Sequence, residues 1–175
     1  MTTVSLLREQ FVDARGFFEA TLDDVTAEQA GWPPAGQALP IAAHVAHVLA
    51  SQDMALHGLL EGSAPLAATS WAGRAGFATP PPFGPGRSWA AWARDTRFDL
   101  AALRRYGAAV YAATDRLLER LDEQALARAL DLSAMGLGTR SVAWLLTTGW
   151  VTNVNLHCGE ISCIKGLLGA RGYPA

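Results

Sequence analysis

Apolar residues recur at spacings of three and four over four long stretches of this chain, and Pro and Gly break the pattern between them. That period belongs to helices that bury one face, and it excludes a sheet protein, whose side chains alternate every second residue. The first stretch, residues 4 to about 24, carries Leu6, Leu7, Phe11, Ala14, Phe17, Phe18 and Leu22 and leaves Arg8, Glu9, Asp13 and Arg15 for solvent. Thr2 or Thr3 can cap its start, and Thr26 with Gln29 reads as a capping box opening a short helical turn. The second stretch begins after Pro40, whose fixed φ suits a first turn, and Gly62 stops it. The third starts at Ser88, or more regularly at Asp99, and runs to about Leu121. The fourth begins near Thr139 or Ser141 and reaches Leu168, where Gly169, Gly172 and Pro174 end it. Residues 129–132, in the connection before it, can pair locally as a strand fragment.

The connection between the second and third helices has a different character. Four of the chain's nine prolines fall between Pro80 and Gly86. Trp71, Phe77, Phe83, Trp89, Trp92 and Phe98 also lie in or beside this connection, too many aromatics for a solvated linker. A loop this long and this apolar is expected to pack over something as a lid or a wall. Together these features predict an all-α chain, one domain over residues 1–175, built as a four-helix bundle with a long crossover loop between the second and third helices.

Composition narrows the function classes. A chain of 175 residues, half of them apolar and 17% charged, can bury a real core and is not disordered. A formal net charge of −2 offers no electrostatic footprint for nucleic acid or an acidic membrane. Cys158 and Cys163 cannot supply a disulfide framework, and both read as small buried hydrophobes. No signal peptide or spanning apolar run is evident, so a soluble cytoplasmic protein is expected, with neither a nucleic acid nor a membrane as partner.

Chemistry is concentrated in the histidines. His44 and His47, three apart on the second helix, share a side of it within an otherwise apolar run. His57 falls nearer the polar end and reads as a surface residue. On the fourth helix, Asn153 and His157 are four apart on one face, and Glu160 follows three residues later. One ligand from one helix and two from the facing helix is how a bundle holds a metal ion. The competing reading is a set of buried polar side chains that satisfy one another across the interior.

The run His157-Cys-Gly-Glu-Ile161, followed by Leu167-Leu-Gly and Arg171-Gly-Tyr-Pro, resembles the fourth-helix signature of the DinB-like superfamily. Pro40-Ile-Ala-Ala-His-Val-Ala-His-Val is similar to that family's second-helix His-Leu-Ala element, and Trp32-Pro33-Pro34 falls where members carry a turn before it. The resemblance spans essentially the whole chain. It implies a four-helix bundle with a divalent ion (nickel, zinc or iron) held by one histidine of the second helix and a pair on the fourth. Carried over residue by residue, the metal ligands fall on His47, Asn153 and His157; His44, about 60° around the helix from His47, could substitute only by rotating in. Asn153 departs from the family, which has histidine there, or glutamate in the maleylpyruvate isomerase branch. An asparagine offers only a neutral carbonyl oxygen. The resemblance further implies metal-assisted thiol transfer or hydrolysis on a small-molecule substrate or thiol, and a homodimer. The alternative is a metal-free, non-catalytic bundle that binds a small molecule or a protein partner, and Asn153 is the feature that favours it.

Overall fold

The computed structural model describes residues 2–82 and 88–174, so Phe83, Gly84, Pro85 and Gly86 of the aromatic connection lie outside the described residues. The chain is mostly helical. Helix α1 (Thr3–Leu22) starts at a capping box in which Thr2 and Ser5 serve each other's backbone N–H groups, and α2 (Ala27–Gly31) starts the same way with Thr26 and Gln29. Helix α3 (Ile41–Asp53) continues without a break into a π-helical stretch, Met54–Leu60. A 3₁₀ turn (Leu66–Ala68) and the short α4 (Trp89–Asp95) follow, then α5 (Leu100–Arg120) and α6 (Glu123–Ala127). Strands β1 (Ala129–Asp131) and β2 (Thr139–Ser141) pair antiparallel with Leu130 opposite Arg140. The last helical segment has three parts: α7 (Val142–Trp144), a second π-helical stretch (Leu145–Thr152) and α8 (Asn153–Leu167).

Helix α3 packs against both α5 and α8, and α1 packs against α8. Of residues 41–50, all but His47 are buried, which is why this helix is apolar nearly all round rather than striped. Phe18, Ile41, Leu49, Tyr106 and Ile161 anchor one core cluster, and Leu56, Leu118, Leu146 and Trp150 anchor a second beneath it. Polar ties between α1 and α5 sit at the edges: Arg15 pairs with Asp115 at 3.0 Å, and Arg8 donates to the Leu118 carbonyl at 2.7 Å. The surface Arg15–Asp115 pair is worth about 0–1 kcal/mol, so the apolar clusters carry the packing.

The aromatic connection is packed. Trp71, Phe77, Trp92 and Phe98 lie against the first cluster, and Phe77 bridges Phe98 in antiparallel fashion. Gly76 makes this possible. Its φ is +92°, and a Cβ there would meet the Leu103 backbone nitrogen at 2.5 Å, so only glycine lets the loop lie on the start of α5. Among the described residues, no helix is long and apolar enough to cross a membrane.

A buried carboxylate anchors the start of the aromatic connection. Asp53 is fully buried at the junction of α3 and the first π-helical stretch. Its carboxylate accepts from the Leu66 and Ala67 N–H groups, each at 2.9 Å, and from the Tyr106 hydroxyl at 2.6 Å. His57 Nδ1 lies 2.8 Å from its other oxygen. The surface role expected for His57 is therefore corrected: its side chain is only 12% exposed and turns inward onto the Asp53 carboxylate.

Candidate metal centre

Because α3 and α8 pack side by side, the histidines of the two helices meet. His44, buried among the apolar residues of α3, places Nδ1 3.0 Å from His157 Nδ1. Glu160, one turn beyond His157, reaches over both rings from the solvent side. Its Oε2 lies 3.0 Å from His44 Nδ1 and 2.5 Å from His157 Nδ1. One ligand atom from each of His44, His157 and Glu160 thus falls within 4.8 Å of the others. His47 stands one turn further along α3, its ring centroid 4.8 Å from that of His157 and 4.2 Å from that of Trp89, which meets it edge-on.

Burial governs the protonation of this group. It lowers the pKa of His44 and of His157, with the Glu160 charge opposing it in both cases. His47 is pushed down to about 4, first by burial and then by the neighbouring His157 and His44. The imidazoles are therefore neutral near pH 7, and each has a lone pair to offer. Two neutral imidazoles and a carboxylate converging on one point suit a borderline divalent ion such as zinc, nickel or ferrous iron. The residues fit the group that the sequence implies.

Of the residues singled out from sequence, His157 lies at the middle of this convergence and His47 touches it through its ring. Asn153, half-buried one turn before His157, is not part of the convergent group and lines a cavity next to it. His44 and Glu160 complete the convergent set. The signals for both were present: an imidazole in an apolar run, and a carboxylate one turn from His157. Cys158 is buried, and burial raises its thiol to about 11, with a hydrogen bond to Thr21 opposing, so it is a poor nucleophile. Cys163 is exposed, contrary to its reading as a buried hydrophobe, because it falls on the outer face of α8.

The cavity has a volume of about 680 Å³, and its walls include Met54, Trp89, Met135, Trp144, Trp150 and Asn153. Trp89 connects the two features, since it packs on His47 and also lines the cavity.

Comparison with known proteins bears on the fold and the family. A search of curated proteins finds no match. Among solved structures, a conserved protein from Enterococcus faecalis is similar over 97% of this chain and 99% of its own, with a TM-score of 0.79 and 20% sequence identity, a likeness of fold. The family model of the DinB superfamily matches residues 10–161, nearly the whole helical chain and every residue of the convergent group. By that match, the chain belongs to the DinB superfamily.

Proposed function

We propose that this protein is a metal-dependent enzyme that holds a nickel, zinc or iron ion between α3 and α8 and acts on a small substrate in the adjoining cavity. His157, His44 and Glu160 would hold the ion, with His47 beside them. The four long helices α1, α3, α5 and α8 serve this centre as a four-helix bundle. The convergence of one atom from each of His44, His157 and Glu160 is the observation that carries the reading.

When bound, such an ion supplies Lewis acidity and lowers the pKa of a coordinated water or thiol, the chemistry that thiol transfer or hydrolysis requires. The chain's own residues do the rest. Glu160 Oε2, beside both His44 Nδ1 and His157 Nδ1, brings the negative charge that favours a cation at that point. Trp89 walls the centre from bulk water on the side of His47. The second reading, a metal-free binding module, is favoured by the Asn153 amide at the position where the family resemblance places a ligand.

Elemental analysis of protein purified without a metal-chelating tag separates the two. About one transition ion per chain is the expected result. A metal-free protein whose melting temperature ignores added Ni²⁺ and Zn²⁺ would overturn the proposal, because an ion that binds only the folded state must stabilise it.

A further inference from the structure

The cavity beside the histidines is bounded by both π-helical stretches. Met54 and Leu59 come from the first, and Gly149 and Trp150 from the second; Met135 closes the side formed by the turn between β1 and β2. π-Helical geometry is rare, is usually confined to a single turn, and is frequent at functional sites. Here it occurs twice, and both occurrences face the same space. In each, the wider turn shifts the side chains that follow it relative to a continuous α-helix, so the wall is shaped by the backbone itself.

The wall's chemistry is selective. Among the described residues that line the cavity there is no Asp, Glu, Lys, Arg or His; Ser51, Ser133 and Asn153 are the polar side chains, apart from the indole N–H groups. A charged group placed there would lose its hydration and gain no counter-charge. An aromatic or branched alkyl group would instead meet tryptophan faces and methionine sulfurs, which adapt to varied apolar shapes. The volume matches that of cavities that take drug-sized ligands.

We propose that this cavity receives an uncharged, apolar moiety of the substrate, aromatic or alkyl, and so delivers the substrate's reactive end past Trp89 to His47 and His157. The assignment rests on the metal-dependent reading above for the meaning of that reactive end, but the binding itself does not require the ion.

Two probes of matched size test it on EDTA-treated protein: 4-phenylbenzyl alcohol, which is neutral, and 4-phenylbenzoate, which is not. With methionine methyl groups labelled by ¹³C, the alcohol should shift the resonances of both Met54 and Met135. It should also bind at least tenfold tighter than the benzoate. Ala134→Trp, at an exposed position of the wall, should weaken the alcohol at least tenfold and leave Zn²⁺ affinity within twofold. Unmoved methyl resonances, benzoate binding as tight as alcohol binding, or indifference to Ala134→Trp would each overturn the assignment. The methyl readout is made on the wild-type chain and does not depend on the variant. Normal Zn²⁺ binding without probe binding would remove the cavity assignment and spare the metal reading; probe binding without Zn²⁺ binding would do the reverse.

Discussion

His44 and His157 hold their Nδ1 atoms 3.0 Å apart across the contact between α3 and α8, with Glu160 Oε2 against both. Two neutral imidazoles at that distance can share one hydrogen, and the carboxylate adds a negative charge at the same point. A divalent cation satisfies all three atoms together. Zn²⁺ or Ni²⁺ at about a hundred times its Kd should therefore stabilise the fold by roughly 2.7 kcal/mol, a rise in melting temperature of about 5–10 °C for a chain of this size. His157→Ala should remove the rise. Scanning calorimetry at pH 7.5, with and without the ion, gives the answer.

The metal-free protein should lose stability in mild acid. His47 titrates near 6.5 when unfolded and at about 4 when folded, so its neutral ring is the form the fold accepts. The corresponding stability is fully present above pH 6.5 and falls away as pH drops from 6.5 towards 4, because the unfolded chain takes up the proton first. His47→Gln should abolish about 2–3 kcal/mol of the loss between pH 7.5 and 4.5, measured by urea unfolding in EDTA. His44 and His157, whose values are lowered in the same direction, account for a residual slope. A variant with the same acid loss as wild type would refute the assignment to His47.

Asp53 ties the start of the aromatic connection to α5 from a fully buried position. Asp53→Ala strands two backbone N–H groups and the Tyr106 hydroxyl, and should cost about 3–5 kcal/mol. Tyr106→Phe removes one donor and leaves the carboxylate its other partners, so about 1–2 kcal/mol is expected. Denaturant midpoints measure both. A cost below about 1 kcal/mol for Asp53→Ala would mean that water replaces these bonds and that the loop is not anchored there.

Different parts of this molecule were legible in the sequence to different degrees. The long helices follow from the spacing of residues such as Leu7, Phe11, Ala14 and Phe18, and from caps such as Thr2 and Thr26, because period and capping are local physics. The packing of Trp71, Trp89 and Trp92 followed from aromatic content alone. The π-helical stretches did not follow, since Met54–Leu60 and Leu145–Thr152 have ordinary helical composition and their extra residue per turn is set by tertiary packing. Asp53 and His57 were obscured for a related reason: a charge on an otherwise apolar helix can face water or a buried partner, and only the fold decides. At the centre, spacing brought out His44, His47, Asn153, His157 and Glu160, and the family resemblance put the ligands on His47, Asn153 and His157. Which side chains converge depends on the rotation of α3 against α8, which no single helix encodes.

That rotation makes a ligand-by-ligand test possible. Glu160 is half exposed, so Glu160→Gln removes a charged donor with little structural cost. If His44, His157 and Glu160 hold the ion, the change should weaken Zn²⁺ roughly tenfold to a hundredfold, about 1.4–2.7 kcal/mol. Asn153→His gives the complementary measurement. Asn153 lines the cavity, so an imidazole has room there and the overpacking cost of about 1–3 kcal/mol seen in filled cores should not arise. With the ion held toward Glu160, the new ring should change affinity less than about threefold, under about 0.7 kcal/mol. With the ion held instead by His47, residue 153 and His157, the same substitution should tighten binding by one to two orders of magnitude, and His47→Ala in that background should cancel the gain. Calorimetric titration of Zn²⁺ into the wild type and these three variants distinguishes the two ligand sets. Tightening by Asn153→His together with indifference to Glu160→Gln would move the ion away from Glu160 and overturn the assignment made here.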